Sequence, residues 1–161
     1  MARLPLATRL VMKLDVFAVR WTGSSFFMWL YSWSTGLRRD PDFEKRKARA
    51  LVLVTRGRRS GQPRAVVLPY FTFGGRTFVV GSKGGAPEDP DWVLNLRKTP
   101  VAVAYRQRRR QRITTRFADA DERTQLWTQL VAVAPTYGDY QRATAREIPL
   151  VIIESPDDTT G

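Results

Sequence analysis

Apolar and charged positions alternate with a helical period near the start of the chain. Apolar residues recur at positions 6, 10, 14 and 17, while arginines and lysines occupy positions 3, 9, 13 and 20. This pattern predicts a basic amphipathic helix. The mainly aromatic run at residues 26–33 is far shorter than the roughly 20 residues that a membrane-spanning helix needs. We therefore predict a helical segment over residues 1–40 that rests on a membrane surface, on the rest of the chain or on a second subunit.

From residue 51 onward, short apolar runs bounded by turn residues predict β-strands. Gly74-Gly75 between two of these runs predicts a tight hairpin, because two glycines supply the positive φ angles that such turns need. At residues 108–117 arginines alternate with less polar residues, which predicts a strand with one charged face. The apolar runs lie at residues 51–54, 65–71, 77–81, 101–105 and 150–153.

Three helices are predicted among these strands. One covers residues 91–98. The second begins with capping-box spacing at Asp119, is predicted to turn Leu126, Leu130 and Val133 inward, and stops at Pro135. A short third helix then places Tyr137 and Tyr140 three residues apart, on one face.

Antiparallel hairpins mixed with helices indicate an α+β protein. The order of elements predicts a small, partly open β-barrel with flanking helices. We expect this barrel domain at residues 41–156, after the amino-terminal amphipathic helical segment at residues 1–40, with a polar tail at residues 157–161.

Composition narrows the chemistry. The chain holds 27 Lys and Arg against 15 Asp and Glu, a formal net charge of +12, and it contains neither cysteine nor histidine. The positive charge points to an anionic partner. The lack of cysteine excludes disulfides and thiol nucleophiles and favours a reducing, cytoplasmic compartment. Without histidine, Ser-His-Asp triads and histidine-ligated metals are excluded, so an enzyme must rely on a cofactor or on carboxylate, Tyr, Lys or Arg side chains.

A basic loop with two glycines, at residues 55–64, separates the first two predicted strands. Glycines let backbone N–H groups approach a ligand, and arginines pair with phosphate oxygens through two parallel hydrogen bonds. The spacing is not that of a P-loop, because no Lys-Ser or Lys-Thr follows the second glycine. A second glycine-rich basic turn follows at residues 82–87. These residues alone leave two interpretations open, an anion-binding site and a solvated turn.

The charged face of residues 108–117 also has two interpretations. It is a solvated face that protects a sheet edge from aggregation, or a footprint for a phosphate backbone. A binder of single-stranded nucleic acid places aromatic residues among its arginines, and residues 106–116 contain none. We therefore expect no nucleic-acid partner.

Several motifs, in one order along the chain, resemble the deazaflavin-dependent nitroreductase and quinone reductase family. The resemblance covers residues 45–155 and implies a split β-barrel, similar to FMN-binding barrels, that uses coenzyme F420. The motifs are Gly57-Arg58-Arg59-Ser60-Gly61-Gln62-Pro63-Arg64, Ser82-Lys83-Gly84-Gly85-Ala86, Pro90-Asp91-Trp92 with Asn95-Leu96, Pro135-Thr136-Tyr137 with Asp139-Tyr140-Gln141, and Ile148-Pro149-Leu150-Val151.

The resemblance implies an oxidoreductase that transfers a hydride from reduced coenzyme F420 to a quinone or a similar electron-poor, conjugated acceptor. The cofactor carries a phosphodiester and an oligoglutamate tail, which suit a basic groove, and it carries the difficult chemistry itself. Two alternatives stay open: an FMN-binding barrel oxidoreductase, and a non-catalytic basic protein that binds a cofactor or a membrane surface. A homodimer and a peripheral location on the inner face of the cell membrane are further expectations.

The resemblance also implies roles for individual residues. Ser82 and Tyr137 are expected to act in catalysis as hydrogen-bond donors. Ala134 stands where some members of the family carry a tyrosine, which favours a quinone over a compact nitroaromatic. The acceptor is expected to contact Ser82, Ala134, Tyr137 and Tyr140. The residues expected to bind the cofactor are Arg58, Arg59, Ser60, Arg64, Ala65, Val66, Val67, Leu68, Pro69, Val80, Gly81, Ser82, Lys83, Asp91, Trp92, Val93, Leu94, Asn95 and Tyr137.

Overall fold

A computed structural model of the chain describes residues 49–106 and 109–154. The predicted helical segment at residues 1–40 and the predicted tail at residues 157–161 lie outside the described residues. The strands are β1 (Arg49–Arg56), β2 (Pro63–Phe73), β3 (Arg76–Val80), β4 (Val101–Arg106), β5 (Arg109–Phe117) and β6 (Leu150–Glu154). The helices in the described ranges are α1 (Asp91–Lys98), α2 (Ala120–Val133) and α3 (Thr136–Arg142), with a short 3-10 turn at Lys83–Gly85.

The strands form one closed antiparallel barrel in the order β1-β2-β3-β6-β5-β4. A short ladder between β1 and β4, which sets Val52 opposite Tyr105 and Val54 opposite Val103, completes the barrel. The barrel is closed where the sequence predicted a partly open one, because the order of hairpins does not reveal whether β1 and β4 meet. The α+β class and the split-barrel fold with flanking helices are confirmed.

The barrel is split along one side of β2. This strand pairs with β1 from Pro63 to Tyr70, but it pairs with β3 only from Tyr70 to Phe73. Within the described part of the chain, residues 63–69 therefore have a ladder partner on one side alone. We call this stretch the open edge of β2. Its unpaired backbone N–H and C=O groups are available to a ligand.

Alternate strand residues fill the barrel interior, as the period of two in a strand requires. Leu53 and Ile113 belong to this interior cluster. α1 covers one end of the barrel, because its residues Trp92, Val93 and Leu96 join the same cluster and are each at most 7% exposed. The predicted helix at residues 91–98 is thus confirmed, and its apolar face is what places it at the barrel mouth.

A second cluster lies between the outside of the barrel and the pair α2 and α3. Phe78 and Ile152, from β3 and β6, pack there against Leu126 and Leu130 of α2. Both leucines were predicted to face inward, and this is confirmed. Val133, predicted to do the same, is half-buried, because α2 ends at that residue. The cluster holds both helices against the outside of β3 and β6.

The start of α2 is fixed to the barrel by hydrogen bonds and ion pairs. Asp119 caps the helix by accepting a hydrogen bond from the backbone N–H of Glu122 at 2.8 Å, as predicted. The Glu122 side chain is 8% exposed, accepts hydrogen bonds from Arg116 at 2.5 and 3.0 Å, and forms an ion pair with Arg76 at 2.7 Å. The hydrogen bond from Arg116 holds the pKa of Glu122 below its ordinary value. Arg116 is exposed, which agrees with the predicted solvated face, and it also anchors α2.

Candidate active site

Both basic turns found in the sequence lie at the barrel end that α1 covers. The part of the basic loop that lies between the strands, residues 57–62, connects the end of β1 to the start of β2. Arg58 of this loop bonds to Asn95 of α1. The second turn, residues 81–86, follows β3. A Cβ atom at Gly81 would lie 2.9 Å from Val93 of α1 and 2.8 Å from Pro149. α1 is therefore packed against both turns, which places them on one face of the molecule.

The basic loop closes on itself. The N–H of Gly57 donates to the carbonyl of Gln62 at 2.9 Å, and the N–H of Gly61 donates to the carbonyl of Gly57 at 2.8 Å. Gly61 has φ 68°, a left-handed conformation that glycine adopts at little cost. A Cβ atom at Gly57 would lie 2.9 Å from the Ser60 hydroxyl and 3.1 Å from the carbonyl of Gln62. The two glycines of the motif are thus explained by the shape of the loop.

Asn95 fastens this loop to α1. Its side chain is 3% exposed; Oδ1 accepts from the N–H of Arg58 at 3.0 Å, and Nδ2 donates to the hydroxyl of Thr55 at 3.0 Å. Lys98 adds a bond from Nζ to the carbonyl of Arg58 at 3.0 Å. The resemblance predicted Asn95 as a cofactor ligand. In the structure its side chain has a scaffolding role, and a direct contact with a cofactor stays a prediction.

The cations of the two turns differ in what they already bind. Arg58 donates to Asp91 at 2.7 Å and Lys83 to Glu88 at 3.2 Å. Arg59 and Arg64 are exposed, and no carboxylate among the described residues pairs with either. These two arginines are therefore free to bind an anion. Arg64 is the second residue of the open edge of β2.

The second turn has an unusual backbone. Lys83, Gly84 and Gly85 have φ angles of 49°, 65° and 80°, and Lys83 is the one residue other than glycine with positive φ among the described residues. Gly85 donates to the carbonyl of Ser82 at 3.0 Å. Among the described residues, none forms a hydrogen bond with the Ser82 hydroxyl. The donors that this turn can offer a ligand are therefore the Ser82 hydroxyl and those backbone N–H groups that are not bonded within the described residues.

α3 lies beside this turn. A Cβ atom at Gly85 would come within 2.9 Å of the carbonyl of Tyr140, so glycine permits the contact. The rings of Tyr137 and Tyr140 meet edge-on with centroids 5.9 Å apart, and Tyr137 also meets Phe71 of β2 edge-on at 5.7 Å. Tyr137 is 5% exposed, so only a small part of it can reach a ligand. Ala134 is 9% exposed in the same cluster.

The structure sorts the predicted cofactor residues by accessibility. On β2, Ala65 is exposed, and Val66, Val67, Leu68 and Pro69 are half-buried, so this strand is accessible along the open edge. Ser60 and Asp91 are exposed, and Leu94 is half-buried. Four further residues are buried, so any contact of theirs with a cofactor would use the backbone. They are Val80, Gly81, Trp92 and Val93.

Sequence analysis missed Arg146. Its guanidinium is 15% exposed and donates to three carbonyls of the second turn and to a carboxylate of the segment that follows. Arg146 lies in the irregular segment between α3 and β6, where no periodicity or motif identifies a buried residue. Gln141 belongs to one of the sequence motifs, but no role was predicted for it. Its Oε1 accepts from the N–H of Ile148 at 3.0 Å and from Arg123 at 3.1 Å.

Comparison with known proteins gives a family and similar structures. The family of F420H(2)-dependent quinone reductases matches residues 30–155. An F420H(2)-dependent quinone reductase of Mycobacterium tuberculosis is 33% identical over 108 residues, which are 65% of this chain and 72% of that protein.

Two solved structures are similar as well. An F420-H2 dependent reductase, FDR-A, has a TM-score of 0.58 and 32% identity, and the match covers 65% of this chain and 93% of that one. A chain described as a domain-swapped dimer also has a TM-score of 0.58, at 26% identity, and the match covers 75% of this chain and 98% of that one.

Proposed function

The chain belongs to the F420H(2)-dependent quinone reductase family, and we propose that its basic loop, the open edge of β2 and the second turn together hold reduced coenzyme F420 against a quinone. The chain is an oxidoreductase with reduced coenzyme F420 as its hydride donor. The observation that carries the proposed site is the open edge, because residues 63–69 include Arg64 and lie between the loop of Arg59 and the second turn.

The residues at this site fit the cofactor. A phosphodiester and an oligoglutamate tail need cations, and Arg59 and Arg64 have no carboxylate partner among the described residues. A planar deazaflavin ring with carbonyl and N–H groups at its rim matches unpaired backbone groups along the open edge. When bound, the reduced deazaflavin supplies a hydride, and a proton accompanies it to the quinone, which becomes a hydroquinone.

The remaining task of the protein is to orient the acceptor and to stabilise negative charge on its oxygen. Ser82 and Lys83 present a hydroxyl, an ammonium group and backbone N–H groups at one turn. Tyr137 and Tyr140 form an aromatic wall beside that turn, against which a conjugated ring can pack. We propose quinones as the preferred acceptors, with nitro compounds reduced weakly.

Titration of the purified protein with coenzyme F420 and with FMN, followed by oxidation of reduced F420 with menadione, tests the proposal. F420 is expected to bind much more tightly than FMN, and menadione is expected to be turned over. Tight FMN binding without detectable F420 binding would support the FMN-barrel alternative. Tight F420 binding without turnover of any quinone would indicate a cofactor carrier.

We further propose a cytoplasmic location in which residues 1–40 rest on an anionic membrane surface. The cysteine-free composition and the basic amphipathic pattern support it. Among residues 49–106 and 109–154, no helix is both long and apolar enough to cross a membrane. Sedimentation with phosphatidylglycerol vesicles is expected to fall when salt is raised or when residues 1–35 are removed. If the full chain does not bind vesicles, packing on the barrel or dimerisation accounts for the segment.

We also propose a homodimer, and a division of the chain at residue 41 into the amino-terminal segment and the barrel domain. A similar chain of 26% identity is described as a domain-swapped dimer, which supports the first. Light scattering after size exclusion measures the mass, and a monomer at micromolar concentration would contradict the dimer. For the second, residues 41–156 alone are expected to fold and to bind F420 with unchanged affinity.

A further inference from the structure

The side chain of Arg146 forms hydrogen bonds with carbonyls at both ends of the second turn. Its Nη2 donates to the carbonyls of Gly81 at 3.0 Å and Ser82 at 2.8 Å, and its Nε donates to the carbonyl of Ala86 at 2.9 Å. Its Nη1 donates to Asp89 at 2.8 Å. The planar guanidinium has its donors in a fixed fork, so it can satisfy acceptors on several sides at once. Arg146 therefore supplies hydrogen bonds to three carbonyls of the turn from a single side chain.

Apart from the bonds from Arg146, the turn has three backbone hydrogen bonds among the described residues, one of them from the N–H of Gly81 to the carbonyl of Pro149 at 2.9 Å. Its own backbone bonds run from Gly85 to the carbonyl of Ser82 and, at a longer 3.3 Å, from Ala86 to the carbonyl of Lys83. Lys83 has a left-handed backbone, which is sterically unfavourable for a residue with a Cβ atom. Such a conformation persists only where the surroundings enforce it. The bonds from Arg146 to the carbonyls on both sides of Lys83 supply that enforcement.

The backbone of Arg146 is tied to the other side of the site. Gln141, in the last turn of α3, donates from Nε2 to the carbonyl of Arg146 at 2.8 Å. α3 also carries Tyr137 and Tyr140. Arg146 is thus joined through its backbone to the helix of the aromatic wall, and through its guanidinium to the turn that presents Ser82 and Lys83. Arg146 therefore bonds to both parts of the site, in addition to the direct contact between Gly85 and Tyr140.

We infer that Arg146 is a positioning residue for hydride transfer, which fixes the Ser82–Lys83 turn relative to α3. This inference rests on the proposed function, since the turn matters for the reaction only if cofactor and acceptor meet there. Lysine cannot replace Arg146, because an ammonium on a shorter stem is a point donor and lacks the fork that reaches three carbonyls and a carboxylate. A displacement of the turn by about 1 Å is expected to lower the rate of hydride transfer about 100-fold.

The first test uses the protein without cofactor. Hydrogen–deuterium exchange of Arg146→Ala is expected to be faster than wild type in residues 81–89, where the amides of Gly85 and Ala86 are bonded, and unchanged in residues 55–62. The matched control is Arg97→Ala, which removes the second cation of Asp89, at 3.3 Å, and leaves the turn carbonyls bonded. Arg97→Ala is expected to exchange like wild type in residues 81–89. Equal exchange in Arg146→Ala and wild type would overturn the inference.

The second test separates positioning from loss of fold. With menadione and reduced F420, Arg146→Ala and Arg146→Lys are expected to lose about 100-fold in kcat, while the F420 dissociation constant changes much less. Methylguanidinium at non-denaturing concentration is expected to restore activity to Arg146→Ala in a saturable way. If Arg146 acts only on global stability, this additive would lower activity further, and that result would refute the inference. If wild type itself does not turn over reduced F420, the proposed function fails, and the exchange test still decides the role of Arg146.

Discussion

Asn95 holds Arg58 by its backbone, across a separation of 37 residues, through a bond of 3.0 Å from the N–H of Arg58 to Oδ1. The same amide donates from Nδ2 to Thr55 at 3.0 Å. The basic loop is therefore shaped by α1 before any ligand arrives. A preformed loop loses less conformational entropy on binding an anion, so we expect Asn95 to raise the affinity without contacting the ligand.

Asn95→Ala is expected to lower the free energy of unfolding by about 2 kcal/mol, because it leaves the N–H of Arg58 and the buried Thr55 hydroxyl without their partner. F420 affinity is expected to fall as well, since the loop is no longer held. Urea unfolding and fluorescence titration measure the two effects. Asn95→Asp keeps the acceptor for Arg58 and loses the donor to Thr55, so its affinity should be intermediate. An alanine variant with wild-type affinity would show that the loop does not need α1.

The two unpaired arginines give the second prediction. Arg59→Glu and Arg64→Glu are each expected to weaken F420 binding by about 2 kcal/mol, because a charge-assisted hydrogen bond is lost and repulsion replaces it. Arg110, which is exposed on β5, carries the same charge away from the loop, so Arg110→Glu is the matched control and should change binding much less. Titrations at low and moderate salt measure all three. Equal losses at the three positions would mean that binding follows the net charge and not a specific loop.

Local features of this fold were predictable from sequence. Gly74 and Gly75 have positive φ angles of 55° and 76°, as the predicted hairpin requires. Asp119 caps α2, as the capping-box spacing predicted. Each of these features is decided by residues within a few positions of one another. The start and the apolar face of α1 were also predictable, because both depend on neighbouring residues in the sequence.

Long-range features were not predictable. The Arg146 guanidinium meets carbonyls 60 to 65 residues earlier in the chain, and no local pattern identifies such a partner. Asn95 was found by resemblance, but a motif gives a position and not a direction, so its inward orientation needed the structure. The open edge of β2 was not predictable either, because the sequence of an eleven-residue strand does not show where its pairing with a second neighbour ends.

Glu122 gives a pH-dependent prediction. Its folded pKa lies below the ordinary value, mainly because of the hydrogen bond from Arg116, so it stabilises the fold when ionised. This contribution is fully present above the ordinary pKa of a glutamate, about 4.3, and it is lost as pH falls through the lowered folded pKa. Glu122→Gln is expected to reduce the free energy of unfolding by about 2 kcal/mol at pH 7.

The deficit of Glu122→Gln should shrink as the solution is acidified, because protonation makes wild type resemble the variant. Glu147→Gln is the control, since Glu147 pairs with Arg123 at 3.4 Å from a side chain that is 72% exposed. An exposed pair contributes little, so this variant should match wild type at both pH values. Urea unfolding at pH 7 and at about pH 3, below the ordinary pKa of a glutamate, measures the difference. A deficit of Glu122→Gln that does not change with pH would point to packing and not to ionisation.

Ala134 gives a prediction about acceptors. We expect wild type to reduce menadione well and a bicyclic nitroimidazole weakly, because no phenol at position 134 orients a compact nitro compound. Ala134→Tyr is expected to raise nitroimidazole turnover relative to menadione turnover. The residue is 9% exposed within the second cluster, so the larger ring is also expected to lower the free energy of unfolding, by about 1–3 kcal/mol. Fast nitroimidazole turnover by wild type would contradict this account of the pocket.

The hydroxyl of Tyr137 gives the last prediction. Tyr137→Phe keeps the edge-on ring contacts with Phe71 and Tyr140 and removes one hydrogen-bond donor. If that donor stabilises the charge that develops on the quinone oxygen, kcat with menadione is expected to fall about 100-fold, with the F420 dissociation constant unchanged. Tyr70→Phe is the control, because it removes a hydroxyl from a ring that is 5% exposed in the interior cluster of the barrel. A Tyr137→Phe variant with wild-type kcat would limit Tyr137 to packing and leave the turn at Ser82 and Lys83 as the source of donors.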